Sequence, residues 1–240
     1  MIDVKCLASS SAGNSYAVDD GETVLLLEAG IASKKILSGY AELLDRVAGC
    51  LVTHEHKDHA KAAWDLTKSG IDVYTSEGTQ AAICPSGGSV FWNHRLHTVK
   101  AGTQYSIGSW FVIPWEAQHD CAEPLGFLLY STVTKEKLLF ATDTYFIPNT
   151  FQGLNIVLVE CNYDLMKLTR NVDDGVIPAA LKPRILQSHF SLANVKDFLT
   201  ANELKDVRRI YLCHVSKQNG DKQSFKNEIE ALTGIPVTVF

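Results

Sequence analysis

Short apolar runs alternate with amphipathic stretches along the chain, and this alternation predicts its elements. VKCLA (4–8) reads as a short strand and SSSAGNS (9–15) as a small-residue loop. SYAVDDGETVLLLEAG predicts a hairpin turning at Asp20-Gly21, with a second strand apolar throughout and so buried on both faces. Residues 33–47 open on Ser33, suited to an N-cap, and carry apolar positions three and four apart, which predicts a helix. GCLVT is a buried strand, residues 58–69 continue as a helix, IDVYTS is a strand and SEGTQAAIC a capped helix. From Phe91 to Trp115 the pattern is short strands and turns; GFLLYST and EKLLFATD then form a hairpin-like pair around Thr134-Lys135. LNIVLVECN is a buried strand, helices are expected at about 174–182 and 192–202, RRIYLCHVS is a strand, a helix lies near 222–232, and IPVTVF is a last strand. Runs of strands, each followed by helices, predict an α/β protein: a four-layer αβ/βα sandwich of two mixed sheets flanked by helices. No linker, repeat or low-complexity tract interrupts the pattern, so residues 1–240 are expected to be one domain.

Composition narrows the function classes. A chain of 240 residues, 46% apolar and 20% charged, has the make-up of a globular domain with one substantial core. Its net charge of -5 argues against a broad basic surface for nucleic acid, although bound divalent metals would make a cleft locally cationic. The N-terminal stretch lacks a basic segment followed by an apolar one, and no apolar run approaches the roughly 20 residues that span a bilayer. The six cysteines are dispersed, form no CxxC pair and sit mostly in apolar runs, as buried thiols do. A reducing cytoplasmic location is the expectation.

The candidate chemistry begins at LVTHEHKDHA (51–60). A lone histidine is most often a satisfied structural residue, but three histidines and an aspartate within six positions, directly after an apolar strand, are not explained that way. His54 and His56 are two apart and leave an extended segment on the same side. Asp58 and His59 follow at a turn into helix and point to a second spot. Imidazoles and a carboxylate are the ligands that zinc, manganese or iron accept, so the segment reads as two neighbouring metal half-sites. Further ligand types stand at the ends of apolar strands: His119 after FVIPW, Asp143 at the end of LLFATD and His214 at the end of IYLCH. Taken singly, Asp143 would be a turn or helix cap and His214 a satisfied histidine; together they extend the cluster.

The HxHxDH motif at 54–59, followed in order by His119, Asp143 and His214, resembles the five-motif pattern of the metallo-β-lactamase superfamily. The segments SSSAGNS, HEHKDHA, QHDCAEPLGF, FATDT, VECNYD, LKPRILQSHFS and LCHVSKQNG are similar to its YycJ/WalJ-like branch. That resemblance implies two divalent ions, Zn2+ or Mn2+: His54, His56 and His119 would hold one, Asp58, His59 and His214 the other, with Asp143 between. It also implies phosphodiester hydrolysis by a bridging hydroxide that Asp58 positions, with a nucleic acid, DNA in the first place, as substrate. A diiron flavoprotein of this fold would carry a carboxylate where His56 stands, so hydrolysis is favoured over redox chemistry. The branch pattern leads one to expect glycine where Tyr145 stands and histidine where Tyr163 stands; both departures suggest a phenol that stacks on substrate or narrows the cleft.

Smaller features are open to two readings each. His189 is a proton donor to the leaving oxygen, or a structural histidine. Ser10, Ser11 and Asn14, with Ser9 and Gly13, form a backbone nest for a phosphate oxygen, or merely a tight turn. Ser216 and Asn219 cap the next helix, or meet substrate. Phe91, Trp92 and Arg95, beside the surface histidines His94 and His97, suggest base stacking. Competing functions are a small-molecule hydrolase (cyclic-nucleotide phosphodiesterase, thioesterase or lactamase) and a non-catalytic binding protein. The thioesterase reading lacks a helical extension after His214, the lactamase reading lacks an export signal, and the complete ligand set disfavours a binding protein.

Overall fold

The computed structural model describes residues 1–84 and 94–240; Phe91 and Trp92, suggested above for base stacking, lie outside the described residues. The chain folds as two compact units: Met1–Glu116 with Cys121–Glu136, and Ala117–Asp120 with Lys137–Phe240.

The first unit contains a six-stranded mixed sheet in chain order: β1 (Asp3–Ser10), β2 (Gly13–Asp19), β3 (Val24–Leu27), β4 (Val47–Leu51), β5 (Val73–Thr75) and β6 (Leu96–Thr98). β1 to β3 are antiparallel, and β3 to β6 run parallel. Helices α1 (Ser33–Gly39), α2 (Lys57–Ala60), α3 (Ala63–Lys68) and α4 (Glu77–Ile83) occupy the crossovers. An antiparallel meander, β7 (Tyr105–Ile107), β8 (Trp110–Glu116) and β9 (Leu125–Ser131), completes the unit. Its core joins Val24, Leu26, Cys50 and Val73 from the strands, and Val52 just after β4, to Ile36, Ala63 and Leu66 from the helices.

The second unit is built on four parallel strands in the order β10 (Lys137–Ala141), β11 (Ile156–Glu160), β12 (Arg209–Cys213) and β13 (Val237–Val239). α5 (Leu165–Asp173), α6 (Lys182–Ser188), α7 (Leu192–Ala201) and α8 (Lys222–Thr233) accompany them. Every side chain of β11 is buried: residues 156–159 as an apolar run requires, and Glu160 at its end with them.

Four local expectations are corrected by tertiary contacts. The 9–15 stretch is not a loop: Ser9 pairs with Asn14 and Ser10 with Gly13 across a two-residue turn. The helix expected over 33–47 starts without a side-chain cap, stops at Gly39 and gives way to a 3-10 turn, Ala41–Arg46. The cause is Tyr40, which turns into the core and donates its hydroxyl to the Ser15 carbonyl at 3.1 Å. The helix expected over 58–69 is split, because the Ala62 amide bonds the Ala29 carbonyl (2.8 Å) and the His59 carbonyl accepts from the Ala29 amide (2.7 Å). The helix expected near 174–182 lies earlier: Asp164 caps α5 by accepting from the Lys167 amide at 2.8 Å, and Gly175, at φ 71°, ends that turn of chain.

Candidate functional site

In the first unit the histidine segment leaves β4 and returns to the chain just after β3, where the His59 carbonyl accepts from the Ala29 amide. His54 and His59 are fully buried, and the His54 ring lies 4.7 Å from that of His56 and 4.2 Å from that of His59, centroid to centroid. Thr53 Oγ1 engages His54 Nδ1 at 2.9 Å, which makes Nε2 the nitrogen suited to a metal. Asp58 Oδ2 is 3.4 Å from His59 Nε2, and a fully buried carboxylate, Glu28, stands 3.5 Å from His59 Nδ1. Asn14 is buried beneath this segment: its Nδ2 donates to the Asp58 carbonyl at 3.2 Å and lies 3.2 Å from His59 Nε2. Its Oδ1 accepts from the Ser10 amide (3.0 Å) and the Tyr16 hydroxyl (3.1 Å). Gly30 allows this approach, since a β-carbon there would overlap the Asp58 carbonyl.

The second unit gathers its polar residues from strand ends and, for His189, from the C-terminal end of α6. His119 donates from Nδ1 to the Ser188 carbonyl at 2.7 Å, and its Nε2 lies 3.7 Å from Asp143 Oδ2. His214 Nδ1 is 2.8 Å from Asp143 Oδ1 and 2.9 Å from Glu160 Oε1. His189 Nδ1 donates to the same Glu160 oxygen at 2.7 Å. The other Glu160 oxygen accepts from the Phe190 amide at 3.0 Å and the Thr144 amide at 3.3 Å. One ligand-type atom from each of Asp143, Glu160, His189 and His214 lies within 4.8 Å of the others.

The protonation states follow from these contacts. Burial holds the His119 pKa below the ordinary histidine value against the pull of Asp143; the neutral ring it favours is the form a metal needs. Burial also works against a charged His189, but the Glu160 carboxylate, through its charge and its hydrogen bond, together with Asp143, raises that pKa. Burial would raise Glu160 in turn; the His189 charge and the hydrogen bonds from both histidines lower it.

Backbone strain marks the same places. Non-glycine residues with positive φ are Glu28 (67°), Lys135 (62°), Asp143 (43°) and His214 (52°) among the described residues. Lys135 belongs to a turn, while the other three leave β3, β10 and β12 as polar residues after apolar strands. Such a conformation costs on the order of 1–3 kcal/mol. Burying one aliphatic side chain offsets about as much, and four fully buried ones precede Glu28.

The four residues of the 54–59 motif are therefore brought together in one unit. His119, Asp143 and His214 are brought together in the other, with His189 joined to them through Glu160. The substrate-side expectations fare differently. The phosphate nest at Ser10, Ser11 and Asn14 is not formed: Ser10 lies in the β1–β2 ladder, Ser11 in its exposed turn, and the amide that Ser10 would offer is taken by Asn14. Asn14 itself is buried as a clamp on the histidine segment. Tyr163 is buried against Leu168 and Ile177, so stacking on it would require opening that cluster. Tyr145 is exposed, its amide and carbonyl bound to the Gln118 carbonyl and to Asn194 Nδ2. Ser216 Oγ accepts from the Asn219 amide at 3.2 Å, closing a turn; Asp221, not Ser216, caps α8. Arg95 and His97 are both engaged by Asp72, at 3.0 and 2.9 Å.

Sequence reasoning missed Glu28 and Glu160. Both end apolar runs, VLLLE and IVLVE, which is the signal that picked out Asp143 and His214. It also missed the Ser188 carbonyl, which no side-chain pattern reveals.

The donor set fits divalent metal: clustered imidazoles, carboxylates among them, and hydrogen bonds that orient the rings. None of the six cysteines is in a disulfide, and no helix among the described residues is long and apolar enough to cross a membrane. A sequence model described as the beta-lactamase superfamily domain matches residues 27–215. The exodeoxyribonuclease YycJ of Bacillus anthracis is 31% identical over 227 residues, 90% of this chain and 83% of that protein. The exodeoxyribonuclease WalJ of Streptococcus pneumoniae is 30% identical over 233 residues, 90% of this chain and 82% of that protein. Among solved structures, the metallo-beta-lactamase fold protein YhfI from Bacillus subtilis superposes with a TM-score of 0.70 at 13% identity, covering 100% of this chain and 96% of that one. The fold is thus the one the strand and helix pattern predicts, α/β with two mixed sheets flanked by helices. The match across 27–215 and the two alignments over nine-tenths of the chain identify it as a hydrolase of the metallo-β-lactamase superfamily, in the YycJ/WalJ-like branch.

Proposed function

We propose that the two units form a single domain, residues 1–240, whose half-sites work as one dinuclear centre for phosphodiester hydrolysis in DNA. In this reading His54, His56 and His119 would hold one ion and Asp58, His59 and His214 the other, with Asp143 between, the ions being zinc or manganese. Such ions, when bound, acidify water and neutralise phosphate charge. The protein's own residues do the rest. Asp58 accepts a hydrogen bond from the attacking water and sets its direction. His189, whose proton Glu160 favours, gives that proton to the leaving sugar oxygen. Tyr145 lies exposed on the loop after Asp143, open to substrate.

The observation that carries this reading is the buried Glu160 carboxylate shared by His189 and His214. It sets a protonatable histidine beside a metal-type one, an arrangement suited to protonating a poor leaving group. The two relatives named exodeoxyribonucleases support DNA as the substrate, and the absence of a disulfide suits a cytoplasmic enzyme.

The test is direct. The protein, with manganese or zinc, is incubated with end-labelled single- and double-stranded DNA and RNA, beside cyclic nucleotides and a thioester. Shortening of DNA with an affinity that falls steeply with salt is expected, because a strand offers phosphates beyond the scissile one. His189→Ala should slow that reaction while bound metal stays constant. Rapid turnover of cyclic nucleotides with DNA left intact would replace the nuclease reading by a small-molecule phosphodiesterase, in keeping with the net charge of -5.

A further inference from the structure

The second unit holds a cavity of about 270 Å³ that the catalytic reading does not use. One wall is residues 146–150, on the loop that leaves Asp143; the other is the α7 face carrying Asn194, Asp197, Phe198 and Ala201. Phe190, the neighbour of His189, also lines it. The loop is tied to α7 at both ends: Asn194 Nδ2 donates to the Tyr145 carbonyl at 2.8 Å, and Asn202 Oδ1 accepts from the Phe151 amide at 2.7 Å. The cavity is therefore formed in advance of any ligand. Phe190 and Phe198 are buried in its lining, with ring centroids 6.3 Å apart, whereas Phe146 is 53% exposed at its edge. Asp197, Asn149 and Thr150 add polar groups, all exposed.

We propose that this cavity receives one nucleobase, that of a nucleotide adjoining the scissile phosphate. The inference rests on the nuclease reading above. Its volume lies just below the roughly 300–1,000 Å³ of pockets for drug-sized ligands, which suits a single planar heterocycle. A large aromatic side chain left half in solvent adds little to folding, and it is what a stacking platform for bases needs. The Asp197 carboxylate can only accept hydrogen bonds, so it selects a base edge that presents N–H groups. The chain links the cavity's lining to the metal-type cluster at two points: Asp143 precedes Phe146 by three positions, and His189 precedes Phe190 directly. A base seated there holds its strand by a contact that carries no charge, which an acidic protein needs more than a basic one does.

The experiment compares DNA ends carrying a normal nucleotide with ends carrying an abasic one, for the wild type, Phe146→Ala and Ala201→Trp. Wild type should show a KM roughly tenfold lower for the normal end, within the range of base–aromatic stacking. In both variants that preference should collapse toward one: the first loses the platform and the second fills the cavity. Equal KM values for both ends in the wild type, or an undiminished preference in both variants, would overturn the proposal. Bis(p-nitrophenyl) phosphate, which has no base, separates the two readings. If wild type hydrolyses it but leaves all nucleic acid intact, the nuclease reading falls. Binding of deoxynucleoside monophosphates, followed by NMR shifts of α7 residues, then decides: shifts lost in Ala201→Trp sustain the base cavity, and their absence in wild type ends it.

Discussion

The two clusters of ligand-type side chains are assembled by different routes. In the first unit, four ligand-type side chains come from one six-residue segment, His54 to His59. In the second, His119, Asp143, Glu160, His189 and His214 come from five separate places. Each has a fully buried glutamate beside a histidine Nδ1, but the attachments differ. Glu28 stands 3.5 Å from His59, while Glu160 takes both His189 and His214 within 3 Å and two backbone amides besides. The contiguous half-site is kept in shape largely by its backbone, through the Asn14 clamp and the close approach at Gly30. The dispersed one has no such continuity, and one carboxylate ties its parts together. Here the local motif is held by the backbone around it and the assembled one by a shared hydrogen-bond acceptor.

Glu160→Ala should break that contrast most severely. Removing a buried ion pair's partner leaves the remaining donors unsatisfied and costs about 3–5 kcal/mol, read as a lowered urea midpoint. His56→Ala, at a half-buried position of the other half-site, should change that midpoint far less while still lowering metal content. Equal midpoints for the two variants would mean that Glu160 is not what ties its half-site together.

Asp58→Ala should lower hydrolysis at least roughly a hundredfold at fixed metal, because it removes both a proposed ligand and the group that directs the attacking water. Its circular dichroism spectrum should match wild type. Near wild-type turnover would sink the mechanism proposed for this half-site. Asn14→Ala should act through metal affinity, weakening it about 10–100-fold as loss of an orienting partner does, measured by competition with a chromogenic chelator. An affinity within twofold of wild type would show that the loop holds its shape without the clamp.

The smallest effect lies at an ion pair outside both half-sites and serves as a reference for them. Arg46 bonds Asp19 through two nitrogens at 2.7 and 2.6 Å, and that hydrogen-bonded contact holds the Asp19 carboxyl below its ordinary value. A depressed folded pKa contributes stability that is present above the unfolded value of about 3.9 and is lost as pH falls through the folded one. The pair is partly exposed, so the contribution should stay below about 1 kcal/mol. Arg46→Met should remove this acid-dependent share from unfolding curves below about pH 4 and leave the neutral-pH metal affinity unaltered. A larger acid effect would place Asp19 among the groups that hold the sheet together.

The sequence by itself determined the fold class and most of the ligand-type residues. Short apolar runs such as VLLL and IVLV, bounded by polar residues, read as buried strands, and a polar ligand type at the end of such a run announces itself by contrast. The same logic would have found Glu28 and Glu160, had a terminal glutamate been weighed like a terminal aspartate or histidine. What only tertiary structure decided is which polar atoms meet. Ser9 to Ser15 has the composition of a loop, yet cross-strand pairing makes it a tight hairpin and turns Asn14 inward as a clamp. Residues 58–69 have helical spacing, yet the bonds between Ala29, His59 and Ala62 split them into two helices. Tyr163 stands in VECNYD, a segment similar to the branch, yet its ring is claimed by Leu168 and Ile177. Hydrophobic periodicity is a property of neighbours along the chain, so sequence carries it. The hydrogen bonds of a buried carboxylate join residues up to 54 positions apart, and nothing local encodes them.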